Sequence, residues 1–198
     1  MAAMCSRFEI NARRRDLARR FGLADEPAGH ATGEVRPTDP VLAIDSDGAR
    51  ALSWGLKVDW DSKPLINARA ETLTEKPTFR PLLRRRCLVP GEAYFEWRRV
   101  GRERLKNRIH PAGGGIFAFA GLSDGARVVI VTCAPAADIA HIHDRMPVIL
   151  DAADEARWCD PSLAFAEVAA LLRPTAPGLL TANENRPPPP RQPDLFGS

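Results

Sequence analysis

Short apolar runs, broken often by glycine and proline, set the rhythm of this chain. Leu17 and Phe21 lie one turn apart on a helical spacing. Asn11 ahead of them suits an N-cap and Gly22 behind them a stop, which predicts a helix over residues 12–21. Proline and glycine punctuate residues 27–40, which read as a loop. Residues 41–45 and 49–54 flank Ser46-Asp47-Gly48, a hairpin signal. Residues 65–72 read as extended, and Pro77 opens a short helix over 78–85. Residues 87–89 and 93–98 read as strands around Pro90-Gly91. Beyond the turn Gly113-Gly114-Gly115, strands are expected over 116–121 and 127–133, joined at Asp124-Gly125. The second is rich in valine and isoleucine, which marks a central buried strand. A short helix over 136–142, a strand over 147–150 and helices over 151–158 and 163–172 complete the pattern. Many short strands with a few helices, no strict alternation and no repeat argue for an α+β fold.

The length of 198 residues fits one domain with a tail. Its expected limits are residues 5–184, preceded by residues 1–4 as a leader or a mis-assigned start. Residues 185–198 follow as a disordered tail that carries the run Pro187-Pro188-Pro189-Pro190, stiff and without backbone donors. No apolar run is long enough to span a membrane, and no secretory signal opens the chain, so a cytoplasmic location is expected, with no membrane partner. The four cysteines are widely spaced and form no CxxC pair, which indicates neither a zinc site nor a disulfide framework. His141 and His143 have H-x-H spacing but no evident third ligand, so no metal and no cofactor is expected.

Charge changes the picture more than composition does. Residues 1–110 hold 22 Lys and Arg against 15 Asp and Glu, whereas residues 111–198 hold 6 against 10. Most of the basic residues in the first part are arginines, whose planar forks suit phosphate. Such a face is either a solvated surface or an attractor of nucleic acid.

The most distinctive chemistry lies in Met4-Cys5-Ser6-Arg7-Phe8. If Cys5 becomes N-terminal, it offers a thiol and a free α-amine on adjacent carbons. The amine titrates near pH 8, so part of it is neutral in the cell. With an aldehyde this pair can form an imine, and the sulfur can then close a thiazolidine ring.

Three further segments stand out: Ile66-Asn67-Ala68-Arg69-Ala70-Glu71-Thr72, Tyr94-Phe95-Glu96-Trp97 and His141-Ile142-His143-Asp144-Arg145-Met146-Pro147. Together with the Cys5 segment, Trp54-Gly55-Leu56, Arg86-Cys87-Leu88-Val89-Pro90 and Phe119-Ala120-Gly121-Leu122, they resemble the SRAP family, the SOS-response-associated peptidases. The likeness runs from Met4 to about residue 183. It implies a single domain with a mixed, barrel-like sheet and flanking helices. It also implies a monomeric, nucleoid-associated sensor of abasic sites in single-stranded DNA, a lyase-like cross-linking protein whose N-terminal cysteine becomes covalently attached to the ring-opened sugar. Cys5 would be the nucleophile, with Asn67, Glu96 and His143 lining the site. Arg69 and Arg145 would hold phosphates, Arg7 would assist, and Trp97 and Trp54 would lie against the DNA.

Elementary chemistry supports several of these roles. Releasing the aldehyde and expelling water both need proton transfer, which a carboxyl group in partly apolar surroundings can supply. Glu96 sits between two aromatic residues in sequence, although on a strand it would point away from both. Histidine can pass protons near neutral pH, and Asn67 can orient an amine or a hydroxyl. Two features depart from the family pattern. Ser6 stands where glycine is usual, and Met1-Ala2-Ala3 precedes Met4. Either Met4 is the true start, which is the favoured reading, or the leader is self-cleaved, or the chain is inactive. Self-cleavage would use Cys5 against the Met4–Cys5 bond, with Glu96 or His143 as acid and base. A thiol peptidase acting on other proteins and a non-covalent DNA-binding module are the competing readings. In the tail, Gln192-Pro193-Asp194-Leu195-Phe196 is similar to the peptides with which bacterial proteins dock on the DNA sliding clamp, through Gln192, Leu195 and Phe196.

Overall fold

The computed structural model of the protein describes residues 5–185. Its strands are β1 (Phe8–Ile10), β2 (Gly33–Val35), β3 (Pro40–Asp45), β4 (Gly48–Trp54), β5 (Leu56–Val58), β6 (Asp61–Leu65), β7 (Asn67–Arg69), β8 (Arg86–Gly91), β9 (Ala93–Val100), β10 (Glu103–Pro111), β11 (Phe117–Ser123), β12 (Arg127–Cys133), β13 (Met146–Pro147), β14 (Ile149–Leu150) and β15 (Leu180–Asn185). The α-helices are short: α1 (Arg14–Phe21), α2 (Glu155–Cys159) and α3 (Phe165–Val168). The class is α+β, with one sheet closed on itself.

The closure follows from the valine- and isoleucine-rich strand. β12 runs antiparallel to β11 and parallel to β4, while β4, β3, β8 and β11 pair in succession, so five strands form a ring. β7 adds to β12 in parallel and β13 antiparallel. Six of the seven β12 residues are buried, as a strand covered on both faces requires. Closing the ring satisfies edges that would otherwise be open to pairing.

A second sheet, in the order β15-β10-β9-β1-β2, packs over this barrel. On its inner face Phe8 makes edge contacts with Trp54 and Phe119, at ring separations of 5.2 and 5.5 Å. Tyr94 and Ile109 are buried on the same face. Its outer face carries Glu9, Trp97, Arg99, Arg104, Lys106 and Arg108, matched by the alternation of strand side chains. Arg86 is buried at the start of β8, and its guanidinium donates to the carbonyls of Leu83, Trp158 and Leu163, which ties the α2–α3 region to the barrel.

The hairpin around Ser46-Asp47-Gly48 is present as β3 and β4, and the expected strands over 87–89, 93–98, 116–121 and 127–133 are β8, β9, β11 and β12. Several helical expectations need correction. The first helix starts at Arg14 and ends on Gly22, whose φ of 63° suits a left-handed cap. The segment 78–85 holds just a 3-10 turn at Arg80–Leu82, because Pro81 interrupts it. Residues 136–142 form turns, and the helices expected over 151–158 and 163–172 shrink to α2 and α3. The loop expected over 27–40 contains β2, and the extended stretch 65–72 divides into β7 and a 3-10 turn at Ala70–Thr72.

Candidate active site

Strand pairing brings Cys5 to Glu96. β1 lies antiparallel to β9 with Phe8 opposite Tyr94, and the Phe95 N–H donates to the Arg7 carbonyl at 2.9 Å. Continuing that register toward the N-terminus sets Ser6 opposite Glu96, and the backbone nitrogen of the preceding Cys5 donates to Oε1 of Glu96 at 2.7 Å. Alternation along β9 turns Glu96 inward with Tyr94, away from Phe95 and Trp97, so the enclosure comes from the barrel side. Glu96 is 2% exposed. Burial raises its pKa to about 7, against the lowering effect of the Cys5 N–H, and the charge of Asp144 raises it further. A carboxyl group poised this way can give and take a proton near neutral pH.

The Cys5 sulfur is in a different condition. Burial, with a smaller push from Glu96, holds its pKa well above the usual thiol range, so it stays a thiol. Cys5 also has a φ of 26°, a left-handed value that costs a non-glycine residue roughly 1–3 kcal/mol.

Two more elements complete the cluster. β7 runs beside β12 with Asn67 at the level of Ile130, and its side-chain Nδ2 donates to the Cys5 carbonyl at 3.3 Å. The loop between β12 and β13 delivers His143, whose Nε2 lies 3.8 Å from Oε2 of Glu96. Its Nδ1 accepts from the Arg145 N–H at 3.2 Å when the ring is neutral, which leaves the Nε2 proton facing Glu96. When the ring is protonated, Nδ1 can donate to Asp144 at 3.0 Å. Cys5, Asn67, Glu96 and His143, far apart in sequence, thus meet in space. Glu96, with His143 beside it, can exchange a proton with the group on the Cys5 nitrogen, while Asn67 holds the Cys5 carbonyl. Among the described residues, no group of three or more His, Cys, Asp or Glu is placed to hold a metal ion.

The expected DNA contacts fare unevenly. Arg69 is exposed at the end of β7. Trp97 is half-buried on the outer face of the second sheet, with Arg104 and Lys106 each 5.9 Å from its ring. Arg7 is paired with Glu34 at 2.6 Å. Arg145 forms a two-pronged pair with Glu71, at 2.7 and 2.8 Å, and donates to the Thr132 carbonyl, a fastening role absent from the sequence reading. Trp54 is corrected outright: it has no exposed surface, and its indole N–H donates to the Ile66 carbonyl at 3.0 Å inside the core. It cannot lie against DNA. Gln192, Leu195 and Phe196 fall outside the described residues.

A cavity of about 570 Å3 opens onto the cluster, lined by Glu96, Trp97, Arg99, Arg104, Ile142, His143 and Asp144. Arg99 and Arg104 went unnoticed in the sequence. The signal was the charge-rich run after Trp97, but only the β9–β10 register, which sets the two opposite each other, brings them to the site.

Comparison with known proteins gives one consistent answer. Residues 4–184 match the family described as SOS response associated peptidase (SRAP). The abasic site processing protein YoqW of Bacillus subtilis is 36% identical over 181 residues, covering 80% of this chain and 81% of that protein. The abasic site processing protein YedK of Escherichia coli is 27% identical over 203 residues, covering 91% and 89%. A crystal structure of a protein from Bacteroides thetaiotaomicron superimposes with a TM-score of 0.80 at 28% identity, over 92% of each chain. With the match spanning both sheets and all four clustered residues, the chain belongs to the SOS response associated peptidase family.

Proposed function

We propose that this protein recognises abasic sites in single-stranded DNA and captures them covalently through Cys5. The observation that carries the reading is the 2.7 Å approach of the Cys5 nitrogen to a buried carboxyl group with a pKa of about 7. The names of the abasic site processing relatives point to the same substrate. The reading requires mature protein in which Cys5 carries a free α-amine.

In this scheme the neutral amine adds to the aldehyde carbon of the ring-opened sugar, and its surplus proton passes to the new hydroxyl to give a carbinolamine. Protonated Glu96 then gives its proton to that hydroxyl, which leaves as water, and an iminium forms. The Cys5 thiol adds to the same carbon, and its proton returns to the Glu96 carboxylate. The nitrogen is left as a neutral ring amine once the iminium double bond is spent. One aldehyde and one aminothiol give one thiazolidine and one water. The high thiol pKa fits this order, with nitrogen first and sulfur second. His143 relays protons on the second oxygen of Glu96, and Asn67 fixes the Cys5 carbonyl. The test is intact mass after mixing protein that begins at Cys5 with an abasic oligonucleotide. The expected adduct is the sum of the two masses less one water, and absence of any adduct sinks the proposal.

Self-processing of the leader is a second activity that the same geometry favours. In the chain that includes Met4, the nitrogen beside Glu96 is the leaving group of the Met4–Cys5 bond. The thiol would attack the Met4 carbonyl, Glu96 would protonate the departing nitrogen, and water would hydrolyse the resulting thioester. Cleavage also removes the bond that defines the strained φ of Cys5. Loss of residues 1–4 in purified protein, and its absence in Glu96→Gln, is the expected result. Retention of the leader in both would overturn this activity.

A further inference from the structure

We infer that Arg99 and Arg104 form a cross-strand clamp for a backbone phosphate of the strand that carries the lesion. The inference rests on the abasic-site reading above and adds how the strand is held. The two arginines face each other directly in the β9–β10 register and line the cavity that contains Glu96 and His143. Like charges placed directly opposite on paired strands repel. Neighbouring cations on this hairpin are neutralised: Arg98 by Glu184, Lys106 by Glu34 and Arg108 by Glu9. Arg7 and Arg145, expected from the family likeness to hold phosphates, are likewise held by Glu34 and Glu71. Among the described residues, Arg99 and Arg104 have no carboxylate within ion-pair distance, although Asp144 lines the same cavity with its carboxylate exposed, 3.0 Å from Nδ1 of His143.

A phosphodiester fits this arrangement. It carries the negative charge that relieves the repulsion, and its oxygens accept from two planar forks. Arg104 also lies 5.9 Å from the Trp97 ring, so a strand gripped there passes beside an aromatic surface able to cover a base. The cavity reaches from the inner face of β9, at Glu96, to its outer face, at Arg99. A phosphate at the arginine pair therefore places the adjoining sugar toward Glu96, the carboxyl group that holds the Cys5 nitrogen.

The test compares parent protein beginning at Cys5 with Arg99→Gln/Arg104→Gln. Binding is measured with a single-stranded oligonucleotide that carries an unreactive tetrahydrofuran abasic analogue, across a range of salt. Adduct formation is measured with the aldehyde-bearing strand. The log–log salt slope should become shallower by about 0.7, the loss of one phosphate neutralisation on a single strand. At limiting DNA, adduct formation should slow by about tenfold or more, while the rate at saturating DNA stays within about twofold, as loss of strand binding alone demands. The thermal midpoint should not fall, because the substitution removes a repulsion. An unchanged salt slope, or an equal loss at limiting and saturating DNA, overturns the clamp. If the covalent reading itself fails, the parent forms no adduct, yet the analogue still decides the arginine pair.

Discussion

Arg145 grips Glu71 through both ends of its guanidinium, and this pair fastens the loop that carries His143. The contact lowers the Glu71 pKa, chiefly through the hydrogen bonds from Arg145. The same guanidinium holds the Thr132 carbonyl at 2.8 Å, so the loop is anchored to β12 at its root. Arg145→Lys keeps the charge but loses the planar fork. On the proposed reading, adduct formation at saturating DNA should fall by about tenfold to a hundredfold as His143 loses its placement, the upper figure being the cost of about 1 Å of misplacement. The salt slope of DNA binding should stay unchanged. A single-turnover assay at saturating DNA, paired with a salt titration, checks both.

Glu96 carries the pH dependence. The rate should rise as the amine deprotonates and fall again above about pH 7 as the carboxyl loses its proton. Glu96→Gln should be slower by about a hundredfold or more and lack the descending limb. Stability gives a second reading with a fixed sign. Between the ordinary carboxyl pKa of 4.5 and about 7, the folded protein holds a proton that the unfolded chain has released. The parent should therefore lose stability as pH rises through that window, and Glu96→Gln should not. Denaturant midpoints from pH 4.5 to 7.5 measure the difference.

The division of labour between nitrogen and sulfur can be separated. In mature Cys5→Ala the amine remains but ring closure is impossible. An adduct should appear only after borohydride reduction of the imine, while the parent adduct needs no reductant. Equal unreduced adduct in both proteins would remove the sulfur from the scheme.

Trp54→Ala should cost about 3–5 kcal/mol of stability, the usual range for deleting a buried tryptophan. The indole packs edge-on against Phe8 and donates to the Ile66 carbonyl, with Asn67 the next residue along. Folded variant protein should bind DNA with the parent salt slope. Denaturant unfolding and a salt titration of the Trp54→Phe protein, which keeps most of the volume, distinguish a core role from a DNA contact.

The strands legible in the sequence were those whose environment is uniform. β12 is apolar because both faces are covered, and the β3–β4 hairpin is announced by its turn. β10 and β15 were not legible, because their exposed positions are polar and β15 pairs with β10, a segment far away in sequence. Glu96 and His143 were readable as residue types in a distinctive pattern, but their 3.8 Å approach depends on a loop that no local rule predicts. Trp54 failed for the opposite reason: tryptophan serves a core and a stacking surface equally well, and composition cannot say which.

The barrel ring also dictates when the protein can become reactive. β12, at residues 127–133, must pair with strands on both sides before the ring closes, and His143 lies further on still. A chain emerging from the ribosome therefore exposes Cys5 long before its carboxyl and imidazole partners are in place. On the proposed reading, Cys5 therefore gains its proton relay only when nearly the whole domain has been synthesised, and assisted condensation with an aldehyde waits on the closed barrel.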